Sequence, residues 1–295
     1  MLSIGSWNIR GINHPNKQKT VREWTTKNKL DIIGLLEVKI ASSNLPSVIE
    51  GLSLDNWGHL SNDDGMNPSR ILVSWNKATC NLSSIHSSPQ WLTCEVSSIS
   101  NSYPFRITFI YGQNTPTRRV DLWNYIAQHQ CAFSSKPWLI QGDFNAIMGR
   151  NDRSGGSTMW HGHQEDFSQC MKNAELMEIP YTGLRYTWHN SQAIGTIHKK
   201  LDWSFGNAAF FNKWIRGKEG KFGWGHQTNI GRDGYHCSKR SFSRRSSAIK
   251  TSPFLNNTIS PEPKTTGKEY FLSSNKARMH SSNENTFIGA MPHGS

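Results

Sequence analysis

Nowhere in the 295 residues does an apolar run approach the ~20 residues that a bilayer crossing needs. The N-terminus lacks a basic segment followed by an apolar core, so no secretory signal is expected. No Cys-x-x-Cys pair occurs. Cys80, Cys94, Cys131, Cys170 and Cys237 are odd in number and far apart in sequence. That argues against a zinc ribbon and against a disulfide framework, and favours free thiols in a reducing compartment. Acidic residues are also scarce, 21 against 33 lysines and arginines. The expectation is a soluble intracellular protein without a membrane partner. A basic surplus suits polyanions, although inert surfaces carry it too.

The surplus is uneven. Residues 1–214 hold 20 basic and 16 acidic side chains, a net of +4, and residues 215–295 hold 13 and 5, a net of +8. Leu, Ile, Val and Phe total only 11 in residues 216–295. A charged stretch so poor in apolar groups cannot offset its ordering entropy. The expected organisation is a folded domain over 1–214 and a disordered basic tail over 215–295. The tail reads either as an arm for nucleic-acid phosphates or as incidental.

The folded part alternates strands and helices. Leu2–Trp7 reads as a strand closed by a polar turn at Asn8–Gly11. A helix is predicted over Asn16–Lys29, with Val21 and Trp24 inward, followed by a buried strand Asp31–Leu36 that ends at Glu37. Arg70–Trp75, Trp91–Val96 and Arg106–Tyr111 read as strands joined by Ser-, Asn- and Pro-rich connections. Thr117 can cap a helix to about His129. A helix over Gln164–Glu178 would align Phe167, Met171, Ala174 and Met177, and Tyr186–Trp188 and Leu201–Phe205 read as late strands. The pattern fits an α/β (α+β) sandwich of two sheets with helices outside better than a doubly wound sheet. Twelve tryptophans point to a large aromatic core.

The most informative stretch is Trp138–Asn145. Trp138–Gln141 reads as a buried strand that Gly142 breaks, followed by Asp143 and Asn145. If extended backbone continues, the acid and the amide project together and can orient a water and a phosphate oxygen; otherwise they form a turn. Polar residues also stand at other strand ends: Asn8, Glu37, Tyr111 and Asp202. Singly, Glu37 is a solvated acid, Tyr111 a core aromatic, Asn8 a turn former, and Asp202 a partner for Lys199 or Lys200. Together they suit a hard cation with few protein ligands. Magnesium takes one or two carboxylates and fills its sphere with water and substrate phosphate. Glu37, helped by Asn8, would hold it, Asp143 and Asn145 the attacking water, and Tyr111 the phosphate.

The ordered set Trp7-Asn8-Ile9-Arg10-Gly11, Leu36-Glu37-Val38-Lys39, Ile110-Tyr111-Gly112, Gly142-Asp143-Phe144-Asn145, Tyr186-Thr187-Trp188 and Leu201-Asp202 resembles the endonuclease/exonuclease/phosphatase superfamily. Through Pro180–Asn190 it is most similar to the endonuclease domain of plant non-LTR (LINE-type) retrotransposons. The resemblance implies a four-layered α/β sandwich of two packed mixed β-sheets. It also implies Mg²⁺-dependent phosphodiester cleavage, with Mn²⁺ as an alternative, by a monomer acting on duplex DNA in the nucleus. It places Asn8 and Glu37 on the metal side, Tyr111 on the phosphate, and Asp143 and Asn145 on the nucleophile. Asp202 would orient a catalytic histidine, and Arg10, Thr187 and Asn190 would lie on the DNA side.

One family feature is missing. The terminal Ser-Asp-His motif, which supplies the histidine, occurs nowhere in the sequence; His226 and His236 stand in Trp-Gly-His-Gln and Gly-Tyr-His-Cys contexts. The fold is therefore expected to lack its last strands and the activity to be impaired. The alternatives are a non-catalytic DNA-binding remnant, or another phosphoesterase of the superfamily such as a repair endonuclease or an inositol-phosphate phosphatase.

Overall fold

The structure is a computed structural model that describes residues 2–215, apart from residues 101, 102, 158 and 193 and the side chain of residue 215. The expectations of a disordered tail and of missing last strands concern chain beyond these residues, as do His226, His236 and Cys237.

In chain order the elements are β1 (Ile4–Asn8), α1 (Pro15–Asn28), β2 (Ile32–Ile40), α2 (Leu45–Leu52), β3 (Trp57–Ser61), β4 (Ser69–Asn76), β5 (Cys80–Ser88), β6 (Trp91–Ser98), β7 (Phe105–Tyr111), α3 (Pro116–Phe133), β8 (Trp138–Asp143), β9 (Arg153–Ser154), α4 (Asp166–Asn173), β10 (Met177–Glu178), β11 (Trp188–His189), β12 (His198–Lys199) and β13 (Asp202–Gly206). A four-stranded sheet runs β1-β2-β4-β3 and a six-stranded sheet β10-β13-β8-β7-β6-β5. Both are mixed: β1 pairs in parallel with β2 and β7 with β8, and the other pairings are antiparallel.

Strand periodicity sorts the apolar residues into three cores. In β2, Ile32 and Leu36 face the second sheet with Ile107, Phe109 and Leu139, while Ile33 and Leu35 face Val21, Val48 and Leu52 of α1 and α2. On the far side of the six-stranded sheet, Trp138, Ile140, Trp203 and Phe205 pack on Leu122, Trp123, Ile126, Phe167 and Met171 of α3 and α4. The result is helix, sheet, sheet, helix: the four-layered sandwich. The aromatic core is real, with Phe167 stacked on Trp123 at 5.1 Å. Gly34 lets the sheets close, because a Cβ there would lie 2.0 Å from the Phe109 ring. Adding one would dislodge a ring whose burial contributes about 1.5–3 kcal/mol.

Several expected boundaries shift, each for a local reason. Gly142 does not break its strand: it pairs with Ile110 on one side and Trp203 on the other. Its φ is +141°, and a Cβ would lie 2.1 Å from the Ile110 carbonyl oxygen, so glycine is what lets β8 pass and reach Asp143. Glu37 does not end β2 either. Between the pairs Leu36–Ile71 and Ile40–Ser69, β2 advances four residues and β4 two, a bulge with positive φ at Glu37 and Lys39. The helix expected from Gln164 to Glu178 covers only Asp166–Asn173. Glu175 turns left-handed, Leu176 N–H caps the Met171 carbonyl, and Met177 leaves the core stripe at 38% exposure to pair with Gly206. Helix α3 begins at Pro116, with Thr115 rather than Thr117 at its N-cap. In Tyr186–Trp188 only Trp188 lies in a strand.

Candidate active site

The strand ends converge on one rim. Tyr111, Asp143 and Asp202 are successive cross-strand partners on β7, β8 and β13. Side chains opposite one another on adjacent strands share a face, so the register alone aligns the tyrosine and both aspartates. The four-stranded sheet supplies the other wall. Asn8, at the end of β1, donates from Nδ2 to Asp143 Oδ2 at 2.9 Å, which ties the two sheets together at the site.

Glu37 is aimed by its bulge. The chain after β1 runs beside it, with Gly11 N–H donating to the Glu37 carbonyl at 2.6 Å and Arg10 N–H to Asn8 Oδ1 at 3.2 Å. Glu37 Oε1 lies 2.8 Å from Lys39 Nζ. Lys17 Nζ secures the Arg10 turn by donating to the Ile9 and Arg10 carbonyls.

Asp143 is buried. Its Oδ1 accepts from Asn145 N–H at 2.9 Å, and Asn145, left-handed at φ +49°, donates from Nδ2 to the Gly112 carbonyl at 2.7 Å. Asp143 and Asn145 thus meet through a turn after the strand rather than as alternate residues of it. Burial pushes the Asp143 carboxyl above the usual range, against the hydrogen bonds of Asn145 and Asn8. Burial raises Asp202 well above it too, with the charge of Asp143 adding to the effect. Tyr111 is pushed up to about 12, chiefly by burial and then by the charge of Glu37, while Arg70 pulls it back. At neutral pH the Tyr111 hydroxyl therefore carries its proton and can donate.

Thr187 is buried beneath Asp202 rather than on the open rim. Its Oγ1 accepts from Leu201 N–H at 3.0 Å and Asp202 N–H at 3.1 Å, and its hydroxyl also bonds the Asp202 carboxylate. Asn190 closes the turn between β11 and β12: Oδ1 accepts from Ile197 N–H at 3.0 Å, and Nδ2 donates to Gln192 Oε1 at 2.8 Å. Arg10 is exposed, and its charge favours the ionised forms of Asp143 and Asp202. Neither nearby lysine pairs with Asp202: Lys200 is buried against Glu178, and Lys199 sits over the Trp188 ring.

A cavity of about 190 Å³ beside Asn145 was not foreseen from the sequence; Asn114, Arg119, Arg153 and Lys199 help to line it. Arg119 is buried and holds the loop after Tyr111 through the Gln113 and Asn114 carbonyls, at 2.7 and 2.9 Å. Burial lowers Lys199, with Arg153 and Arg119 adding repulsion. The one sequence sign was the basic pair Arg118-Arg119 in the first turn of α3.

The donor set fits a hard cation. Glu37 offers a carboxylate whose present cation, Lys39, is largely exposed and can swing away, and Asn8 offers an amide oxygen. Among the described residues no three His, Cys, Asp or Glu side chains gather as a metal site. A carboxylate and an amide oxygen are the kind of donors that a hard divalent cation takes. No described helix is long and apolar enough to cross a membrane.

Residues 5–214 match the family model described as Endonuclease/Exonuclease/phosphatase family. Among solved structures, the endonuclease domain of TRAS1, a telomere-specific non-LTR retrotransposon, is similar at TM-score 0.54 and 9% identity, over 72% of this chain and 88% of that one. An AP endonuclease from Leishmania major is similar at TM-score 0.54 and 14% identity, over 69% and 78%. A mannosyl-6-phosphatase from Bacteroides thetaiotaomicron is similar at 0.50 and 11%, over 71% and 86%. A search of the curated proteins gives no match.

Proposed function

We propose a function from one premise: the chain belongs to the endonuclease/exonuclease/phosphatase family, the model of which spans residues 5–214. Within that family we read it as a Mg²⁺-dependent DNA endonuclease domain of retrotransposon type that nicks target duplex, with its turnover reduced. The observation that carries the reading is the single row Tyr111–Asp143–Asp202, joined to the other sheet by Asn8.

Glu37, with Asn8, would hold the cation. A cation held there would supply polarisation of the phosphodiester and stabilisation of the leaving oxygen. Tyr111, protonated far above neutral pH, donates to a phosphate oxygen. Asp143 orients the attacking water and accepts its proton, and its backbone partner Asn145 holds that geometry. The basic cavity beside Asn145 suits the polyanionic backbone. The retroelement branch is favoured by Pro180–Asn190, the segment that places Thr187 under Asp202. Reduced turnover follows from the absent Ser-Asp-His motif, since losing one acid–base group typically costs ~10²–10⁴-fold.

The test is nicking of supercoiled plasmid in Mg²⁺, by the chain as it stands and by a variant with a Ser-Asp-His strand appended after Trp214. We expect weak nicking at most from the first, and clear nicking from the second that Asp143→Ala abolishes. No nicking by the restored variant, or nicking indifferent to Asp143→Ala, would overturn the assignment. A second reading, DNA retention without cleavage, is favoured by the +8 net charge of residues 215–295 (13 basic less 5 acidic). It requires duplex binding to collapse and lose its salt dependence when residues 216–295 are deleted.

A further inference from the structure

Arg70 occupies a position that the catalytic reading leaves unused. It lies in β4 next to Ile71, the last residue paired with β2 before the Glu37 bulge. Its backbone N–H is fixed by Asn62 Oδ1 at 2.9 Å, and buried Asn62 is itself anchored to the Ser88 carbonyl at 2.8 Å. From there the side chain crosses to the opposing sheet, and its guanidinium carbon stands 4.3 Å from the centre of the buried Tyr111 ring. Arg70 thus bridges the wall that carries Glu37 and the row that begins with Tyr111.

What marks Arg70 out is its lack of a carboxylate. Among the described residues no acid lies within ion-pair distance of it, and Glu37, the nearest wall's acid, is paired to Lys39. Arg70 also hydrogen-bonds the Tyr111 hydroxyl, and because a guanidinium carries five N–H donors its fork keeps donors beyond that bond to match the oxygens of a phosphate. The ring contact and the hydrogen bond to the hydroxyl hold the guanidinium beside Tyr111, so the two groups are organised before any ligand arrives.

We propose that Arg70 and the Tyr111 hydroxyl form a two-donor clamp on the non-bridging oxygens of a nucleic-acid phosphodiester. The clamp rests on the nuclease reading and adds a phosphate-binding residue to it. The contacts with Tyr111 hold the fork, Asn62 sets the strand from which it reaches, and Tyr111 supplies a neutral donor that needs no counter-ion. The class of ligand recognised is the backbone phosphate, so the contact carries no base preference.

The experiment measures binding of a fluorescein-labelled DNA duplex by anisotropy over a salt series, using the full chain and its Arg70→Gln, Arg70→Lys and Tyr111→Phe variants. Each charged phosphate contact adds ~0.9 to the slope of log K against log salt. Arg70→Gln is expected to weaken binding on the order of tenfold and to reduce the slope by about one, whatever the duplex sequence. Arg70→Lys is expected to keep the slope and lose affinity, because the charge stays and the fork goes. Combining Arg70→Gln with Tyr111→Phe should cost less than the two separate losses together, since both donors serve one phosphate. An unchanged slope in Arg70→Gln, or strictly additive losses, overturns the clamp and leaves the nuclease reading standing. A parent chain that holds no duplex at any salt concentration overturns both.

Discussion

Asp143 and Asp202 stand directly opposite each other on antiparallel strands β8 and β13, a buried and a half-buried carboxyl on one face of one sheet. Neither has a cationic side chain bonded to it among the described residues; Asn8, Asn145 and Thr187 supply neutral donors instead. Packing two acids this way raises both carboxyls and costs the folded chain stability.

That relationship sets a pH dependence. Both carboxyls are raised in the folded chain, by burial first and, for Asp202, by Asp143 next. A raised acid holds a proton that the unfolded chain releases, so its stabilising contribution is complete below the unfolded value near 3.9 and is lost as pH rises through the folded value. Neutral pH is therefore the costly side. Asp202→Asn is expected to stabilise the fold at pH 7 by about 0.5–2 kcal/mol, with the gain shrinking as the pH falls towards 4. Melting temperature against pH for both proteins checks this, and a gain that grew on acidification would refute it.

Glu37 gives a prediction independent of turnover. Mg²⁺ that binds the folded chain alone adds about 2.7 kcal/mol at a hundred times its Kd, or roughly 2–4 °C per kcal/mol in a domain of this size. Thermal melts in a magnesium series should show a rising midpoint. Glu37→Gln should flatten the series, because Asn8 alone is too weak a ligand. An equal rise in the variant would place the cation elsewhere.

Thr187 tests the support beneath Asp202. Valine keeps the shape of threonine but leaves the N–H groups of Leu201 and Asp202 without their acceptor. We expect Thr187→Val to cost about 1–3 kcal/mol in denaturant unfolding, and Thr187→Ser to cost much less because it keeps the oxygen. Equal losses in both variants would mean that the threonine methyl, not its hydroxyl, does the holding.

Much of the layering was legible because it rests on period-2 and period-3.6 patterns. Ile32 to Leu36, Ile107 and Phe109, and Val21 on its helix each show in sequence the face they bury. Residues governed by local backbone exceptions were not legible. Gly142 looked like a break because the interstrand crowding that demands glycine is set by Ile110, more than thirty positions away in the chain. Glu37 looked like a strand end because a bulge is a property of two strands and only one is visible at a time. Edge strand β5 was missed because Cys80–Ser88 is rich in serine and its pairing with β6 is non-local.

The sequence by itself determined the order of the polar residues along the strands and the aromatic content of the core, since both follow from local pattern. It also determined that no Ser-Asp-His motif is present. Only the tertiary structure decided that Asn8 meets Asp143 across two sheets, that Thr187 lies under Asp202, and that Arg70 lies over the Tyr111 ring. Those contacts join residues 15 to 135 positions apart, and such distances close only when strand register and sheet packing are set together.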